Sequence, residues 1–451
     1  MRSPVPSSEP VTAGQDPDAP RRLRWLDRLL PPFSAPDSGK PRDMLFVASE
    51  TPPRSMVLAL AAQHLVLALM LVVYLVVTGT ACGLSGSALR SFVSLGVLIM
   101  GIGTVINAMR TRISAGMLMV RVPSTVAMAA FITSVQQNGL AATTGATLVA
   151  GAVVFLLGGY VVRLRRLFPP EVTGVLLILL GISLVPEALR RTTALVPGIS
   201  SLDMGSMLVA LVTLGVVVSI SVWAGQRIRM LALFFGASAG LLTAAVTGYL
   251  DGSAWTSLRH QPWLAWPGSV ADWVSPAFTW AAITPMVLIG LVSVTDTIGQ
   301  GITLDRMNRA RWSRPDLALL GRLVNGHGLS WLLCGLAGTL GTATSSAHVG
   351  LSHVTGVTAR VVGLVTGGLL MVMAFMPMIA AAIILLPAAV VGAIMLYTAS
   401  FMMVQGSELV MTRLLNNRRR TTVGLGLAAG MALVVSPEFR SALELDLGPI
   451  M

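Results

Sequence analysis

The predicted fold follows from two short stretches, MLMVRVPST at residues 117–125 and GTATSSA at residues 341–347. Each interrupts an otherwise apolar segment, the first with Pro123 and the second with a run of small and polar residues. Interrupted helices at membrane depth are tolerated where the freed backbone groups are buried in protein or line a cavity. Because the two breaks occupy matching places in the two halves of the chain, they predict an inverted-repeat transporter whose substrate binds between the broken helices.

The composition of the chain indicates a membrane protein. Of its 451 residues, 54% are hydrophobic and 11% are charged, and the mean hydropathy is +0.78. Soluble domains carry about 25% charged residues. The sequence holds no HExxH, no GxSxG with a following His and no Walker-type loop, so we predict neither an enzyme nor a cofactor. The net charge of +12 is interpreted as an orientation signal, not as a surface for nucleic acid.

Thirteen apolar segments are predicted to cross the bilayer. They lie at 56–79, 88–108, 114–132, 141–162, 171–188, 205–225, 230–250, 278–303, 319–339, 342–358, 361–377, 379–404 and 421–436. The third and the tenth contain the two breaks. A seven-plus-seven repeat needs fourteen helices, and the remaining residues are too polar to span, so helix 14 is expected to be missing.

The distribution of arginine predicts the orientation of these segments. Arginines follow the even-numbered segments, on the side of the Arg-rich N-terminal tail: Arg110, Arg112, Arg163, Arg165, Arg166, Arg227, Arg229, Arg306, Arg309, Arg311, Arg314, Arg360, Arg413, Arg418, Arg419 and Arg420. Loops rich in Lys and Arg stay in the cytoplasm. We therefore predict a cytoplasmic N-terminus and an external 251–277 loop.

Asp296 is the candidate binding acid, because it is the only carboxylate that the predicted segments place deep in a span. An acid in this position is costly unless it is paired or functional. Gln300 follows one helical turn later and can offer its amide to whatever Asp296 contacts. The alternative for Asp296 is a purely structural tie between two helices, and the alternative for Gln300 is ordinary helix–helix hydrogen bonding.

Arg121 lies inside the broken third segment and is the candidate for recognising negative charge. Two half-helix N-termini, one after Pro123 and one near His348, are expected to direct their positive ends to the same place. The sequence leaves three roles open for Arg121: contact with an anionic substrate, an internal ion pair with Asp296, or snorkelling to the inner surface near Arg112.

Four further polar residues lie within predicted segments. Gln63 and His64 are adjacent in the first segment, and His327 and His348 lie in the ninth and tenth. A histidine inside a helix bundle can carry a proton, but it more often serves as a hydrogen-bonding partner between helices. Both interpretations, proton carrier and hydrogen-bonding partner, remain open for His64, His327 and His348.

These residues resemble the motifs of the nucleobase-ascorbate transporters, a family that includes bacterial uracil, xanthine and urate permeases. Gln63-His64 resembles the family's QH pair, and Asp296 to Gln300 (DTIGQ) resembles its eighth-helix motif. His348 to Gly356 (HVGLSHVTG) is similar to its signature, and Leu386-Pro387 to Gly392 is similar to its twelfth helix. The resemblance runs from about Thr51 to Ser436, and Thr355-Gly356 is closer to the purine than to the uracil branch.

The resemblance implies an all-α polytopic membrane protein with short strands in the two broken helices, a core domain and a gate domain. The implied division is a disordered cytoplasmic tail at 1–50, core-domain halves at 56–163 and 278–377, gate-domain halves at 171–250 and 379–436, and a C-terminal tail at 437–451. It also implies proton- or sodium-coupled symport at the bacterial inner membrane by an elevator movement of the core. The partners are a nucleobase and the bilayer, and a homodimer through the gate domain is left open.

The implied site has Asp296 holding the base, Gln300 at the coupling position, and the backbone near Arg121, Ser124 and Thr125 under the ring. Several positions differ from the family pattern. Asp296 stands where the family has Glu, Gln300 where it has a titratable Asp or His, and His327 where it has Asp. Ala347-His348 stands where the family has Glu or Gln followed by Asn, and Arg121-Val122 stands where it has Gln-Gly. The main hypothesis is a proton-coupled symporter for a purine such as xanthine or urate. The alternatives are a uracil permease, an anion transporter of sulfate-permease-like fold and a membrane sensor without transport.

Overall fold

A computed structural model of the protein describes residues 40–158, 170–193, 203–229, 231–249, 262–268, 274–312, 315–378, 381, 386–411 and 416–435. The helices are α1 (Arg54–Leu71), α2 (Val73–Ala81), α3 (Gly86–Ala108), α4 (Thr125–Leu157), α5 (Pro170–Thr193), α6 (Met204–Trp223), α7 (Gln226–Arg229), α8 (Ala232–Val246), α9 (Trp280–Met307), α10 (Leu317–Ala337), α11 (Ser346–Thr355), α12 (Arg360–Ala374), α13 (Ala388–Met411) and α14 (Asn417–Val435). The strands are β1 (Arg110–Thr111), β2 (Ser114–Ala115), β3 (Arg121–Pro123) and β4 (Thr342–Thr344).

The helices have the length and composition of membrane spans. Among the described residues, seven helices are long and apolar enough to cross a bilayer, with α1 and α2 forming one span, and α8 and α12 are shorter apolar helices. Because a helix rises 1.5 Å per residue, about 20 residues match the hydrocarbon thickness. The chain is a multi-pass membrane protein, as its composition predicts.

The two breaks take the form that an inverted repeat requires. Strand β3 pairs antiparallel with β4, with Arg121 opposite Thr344, Val122 opposite Ala343 and Pro123 opposite Thr342. A helix begins directly after each strand, α4 at Thr125 and α11 at Ser346. The predicted strands in the third and tenth segments are therefore confirmed, and the two half-helices start from a shared two-stranded ribbon.

Helix α4 combines the third and fourth predicted segments. Gly139 interrupts it with φ of 82° and ψ of 165°, a left-handed backbone that glycine tolerates. The third segment is thus the strand β3 plus the half-helix before Gly139, and it begins later than the predicted 114–132. Helix α13 likewise starts and ends later than the predicted 379–404.

Helix packing divides the described elements into two groups, each of which joins the two halves of the chain. In the first, the core group, α1 and α3 pack on α12, α4 packs on α9 and α10, and α11 contacts α9. In the second, the gate group, α5 packs on α13, α6, α8 and α14 surround that pair, and α7 contacts α6. Small residues allow these close approaches: a Cβ at Gly101 would lie 2.8 Å from the Gly367 oxygen, and one at Gly174 would lie 2.5 Å from the Gly406 oxygen. The groups contain the helices that we predict for the core and the gate.

Residues 40–50 are ordered, which differs from the expected disordered tail at 1–50. Phe46 forms a parallel bridge with Val357, and the Ala48 amide donates to Asn308 Oδ1 at 2.8 Å. Met44 and Ala48 are buried. This segment covers one end of the core group because its backbone pairs with the turn between α11 and α12. Residues 1–39 and 437–451, Arg163 to Arg166 and most of the 251–277 loop lie outside the described residues, so the predictions made for them stay predictions.

Candidate functional site

A cavity of about 520 Å³ lies between the core group and the gate group of helices. Its core wall consists of Leu67, Leu71, Tyr74, Val122, Pro123, Ser124, Thr125, Val126, Val292, Thr295, Asp296, Gly299, Ala343, Thr344, Ser345, Ser346 and Ala347. Its gate wall consists of Thr173, Leu177, Arg229, Ala232, Leu233, Tyr397, Phe401, Gln405, Glu408 and Leu409. The volume falls in the range of small-molecule sites, and both broken helices open onto it.

The two half-helices present different N-termini to this cavity. The Ser124 hydroxyl accepts a hydrogen bond from the Ala127 amide at 3.1 Å, so it caps α4. At the equivalent position before α11, the Ser345 side chain makes no cap hydrogen bond. The first amides of α11 therefore keep their capacity to donate, and the positive end of that helix favours an oxygen or an anion in the cavity.

Asp296 lines the cavity from α9, the helix that packs against β4 and α11. Gln300 donates from Nε2 to Asp296 Oδ1 at 3.5 Å, a long contact at the edge of hydrogen-bond geometry. Gln300 is not a lining residue. The structure thus brings Asp296 to the site and places the Gln300 amide beside it, as the helical spacing predicted.

Arg121 lies behind the strand ribbon, not in the cavity. Its side chain is fully buried, and its Nη1 donates to His327 Nδ1 at 2.7 Å and to Thr344 Oγ1 at 3.3 Å. Its Nη2 lies 3.5 Å from Asn107 Oδ1. Snorkelling to the surface is therefore wrong for Arg121, because the guanidinium is enclosed by protein. Arg121 also forms no ion pair with Asp296 within the described part of the chain.

His327 continues this network in a defined tautomer. Its Nδ1 accepts from Arg121, and its Nε2 lies 2.7 Å from the Ser293 hydroxyl, which in turn donates to the Gly290 carbonyl. A ring that accepts on one nitrogen and donates on the other is neutral. Because an always-charged guanidinium is in contact with it, a second positive charge on His327 is strongly disfavoured. We therefore assign His327 a structural part under the ribbon.

His64 and His348 meet behind the cavity wall. Their Nδ1 atoms are 2.8 Å apart, and both side chains are buried. Ala347, directly before His348, lines the cavity, whereas neither histidine does. Gln63 is exposed on α1 and is not among the residues that line the cavity, so its predicted part in coupling stays a prediction.

Sequence reasoning missed the gate wall of the cavity. Tyr397, Phe401, Gln405 and Glu408 follow one another at helical spacing along α13 and all line it. Because the predicted segment ended at residue 404, Glu408, an exposed carboxylate near the end of α13, was left out of the predicted site. The spacing of these polar and aromatic residues on one helix face was the available signal.

Thr355 and Gly356 are not cavity residues. Gly356 ends α11 with φ of 66°, and its carbonyl accepts from the Leu45 and Phe46 amides at 2.7 Å and 3.1 Å. Its left-handed backbone explains glycine here, since other residues are strained in that conformation. The Thr355-Gly356 motif therefore ends α11 and holds the 40–50 segment through the Gly356 carbonyl.

Comparison with known proteins identifies relatives along most of the chain. A family model, Xan_ur_permease, described as “Permease family”, matches residues 55–439. The nucleobase transporter PlUacP of Paenibacillus larvae is 27% identical over 85% of this chain and 88% of its own. The uric acid permease PucJ of Bacillus subtilis is 26% identical, covering 81% and 83%. The xanthine permease XanQ of Escherichia coli is 25% identical, covering 88% and 87%.

Solved structures share the fold at low sequence identity. The transmembrane domain of the cyanobacterial bicarbonate transporter BicA superposes with a TM-score of 0.59 at 16% identity, over 86% of this chain and 99% of that domain. The murine anion transporter Slc26a9 gives a TM-score of 0.52 at 12% identity, over 94% and 73%. These likenesses support the inverted-repeat architecture, and they carry no information on the substrate.

Proposed function

This chain belongs to the Permease family whose model spans residues 55–439, and from that premise we propose that it imports a purine such as xanthine or urate by proton symport. The family match and the relatives confirm the resemblance to nucleobase transporters: the chain is a nucleobase transporter and not an enzyme. The proposal adds three points: the substrate is a purine, the coupling ion is a proton, and the core group moves as an elevator.

One observation carries the proposal of a nucleobase substrate: Asp296 and the uncapped N-terminus of α11 open onto the same cavity. The uric acid and xanthine permeases among the relatives favour a purine over uracil. A xanthine or urate ring presents N–H donors next to carbonyl oxygens. Asp296 accepts from such N–H groups, and charged acceptors form the stronger hydrogen bonds. The amides at Ser346 and Ala347 serve the carbonyl or ionised edge, and the small Ala347 side chain leaves them accessible.

The strand ribbon supplies the surface for the flat ring. Val122, Pro123 and Ala343 all line the cavity, and their register places Val122 directly opposite Ala343. Ser124 and Thr125 continue the same wall. Apolar walls with a few convergent polar groups are typical of small-molecule sites. Recognition through Arg121 is retained only as an indirect effect, because its guanidinium lies behind β3.

The position of the cavity supports an elevator movement. Asp296, the ribbon and both half-helix N-termini belong to the core group, whereas the opposite wall comes from α5, α7, α8 and α13 of the gate group. A site whose acid, strand ribbon and helix N-termini all belong to one group can travel with that group against the other. We also propose the bacterial inner membrane and a cytoplasmic N-terminus. Cysteine accessibility that placed 251–277 on the side of Arg309 would contradict that orientation.

A homodimer through the gate domain is part of the proposal. Helix α6 belongs to the gate group. Only 22% of its most apolar stretch is buried inside the protein, the lowest share among the seven long helices. Leu208, Leu211, Val222 and Trp223 are exposed on it. Lipid also covers such a face, so cross-linking of single cysteines on α6 distinguishes a dimer from a monomer.

Uptake of labelled substrates into vesicles tests the function. Xanthine, urate, uracil and sulfate are offered with and without an inward proton gradient. We expect xanthine or urate to accumulate and the gradient to increase that accumulation. Uptake of sulfate without any nucleobase would instead support the anion transporter, and preference for uracil would support the uracil permease. Binding without accumulation of any of the four would contradict transport.

A further inference from the structure

Two histidines from opposite halves of the chain form a buried pair beside the cavity. Nδ1 of His64 in α1 lies 2.8 Å from Nδ1 of His348 in α11, and the rings stack with centroids 5.1 Å apart and planes inclined by 12°. The two side chains are 1% and 2% exposed. The short contact requires one proton between the Nδ1 atoms, so one ring donates and the other accepts.

The other nitrogen of His348 is available. Its Nε2 is buried and has no hydrogen-bond partner, although buried polar atoms nearly always have one. When His348 donates through Nδ1, its Nε2 carries a free lone pair. A proton added there makes a cation whose Nδ1–H still donates to His64. The pair can therefore hold one positive charge across two rings without losing the hydrogen bond that joins them.

No other charged group fixes the charge of this pair. His64 is the titratable group in electrostatic contact with His348. Helices α1 and α11 themselves carry Arg54 and His353, and elements packed on them carry Tyr74, Arg121, Asp296, Asp305, Arg306 and Arg360. In the described part of the chain, neither ring makes a hydrogen bond or an ion pair with any of these. A buried charge without a partner is costly, so the free pair favours neutrality.

A purine bound in the cavity offsets the cost of a positive charge on the pair. His348 is the third residue of α11, directly after Ala347, and the positive end of a helix opposes further positive charge there. A purine oxygen or an ionised purine at the uncapped N-terminus removes that opposition. By thermodynamic reciprocity, a bound proton then strengthens purine binding by the same factor.

We propose that the His64–His348 pair is the proton-carrying site of this transporter, and that it takes up its proton together with the purine. The proposal rests on the proposed function and deepens it. Both histidines lie on core-group helices, so the proton travels with the substrate. On release of the purine the helix end again opposes the charge, and the proton leaves.

Proton uptake during binding tests the pair directly. Purified protein in weakly buffered solution is mixed with xanthine, and a pH indicator records protons taken up per xanthine bound. We expect about one proton per xanthine in the wild-type protein. H64Q and H348Q are expected to take up few or none per xanthine that they bind. H353Q is the matched control, because His353 is exposed on the same short helix, and it should behave like the wild type.

Each outcome decides a different claim. Undiminished proton uptake in both H64Q and H348Q overturns the proposal that this pair carries the proton. A loss of proton uptake in H353Q as large as that in H64Q and H348Q overturns it as well. A wild-type protein that binds no purine contradicts the proposed function as a whole. Wild-type transport of xanthine without proton uptake leaves the purine transporter standing and rejects the proton site. Where neither variant folds, nitrogen NMR of the wild-type histidine rings decides, since unchanged ring resonances on adding xanthine overturn the proposal.

Discussion

The two broken helices follow the same plan, yet their N-termini differ at the cavity. Ser124 caps the first helix from within, whereas Ser345 leaves the second uncapped. A charged residue, Arg121, anchors the first strand from behind, and its register partner on the second strand is the small Thr344. A repeat can therefore be symmetric in backbone and asymmetric in chemistry: the first half mainly supports the ribbon, and the second half supplies the polar groups that bind.

Substitution of Asp296, the acid on the binding half, should weaken substrate binding most. D296N replaces a charged acceptor, which lines the same cavity as the open end of α11, by a neutral amide. Losing a charged hydrogen bond costs about 2 kcal/mol, or roughly 30-fold in xanthine affinity. E408Q is the control, because Glu408 is an exposed carboxylate on the gate wall of the same cavity. Equal affinity in D296N and wild type, measured by competition for uptake, would remove Asp296 from the site.

The sequence predicted the ribbon better than the chemistry around it. Pro123 and the GTATSSA run mark β3 and β4 closely, because broken helices need residues that helices avoid. The direction of Arg121 could not be predicted, since a three-residue strand gives no alternation that tells one face from the other. Glu408 was missed for a different reason: helix ends in apolar segments are poorly defined by composition.

A smaller effect is expected at the supporting half. R121Q removes the guanidinium that joins His327, Thr344 and Asn107. Because these contacts hold the ribbon and do not reach the cavity, affinity for xanthine, urate and hypoxanthine should fall by the same factor, roughly tenfold, together with the melting temperature. R121K should not restore it, since an ammonium cannot replace the planar fork.

The exposed Arg112 gives the control for that change, because R112Q alters a surface arginine in the loop before β3. It should leave affinity and melting temperature near the wild-type values. A loss confined to urate in R121Q, with hypoxanthine unaffected, would show that Arg121 reaches the substrate in another conformation. The comparison of a supporting and a binding half would then fail for the first strand.

The smallest and most discriminating effect separates the two serines. S124A removes a cap that accepts from Ala127, and loss of such a cap costs about 1 kcal/mol of stability. S345A removes no cap, but it removes a hydroxyl that lines the cavity and is free to hydrogen-bond the substrate. The melting temperature should therefore stay unchanged while xanthine affinity falls roughly fivefold, the worth of one neutral hydrogen bond. Thermal unfolding and uptake competition on the two variants measure both quantities. If S345A lowers the melting temperature and S124A does not, the second helix is the capped one, and the assignment of supporting and binding halves is reversed.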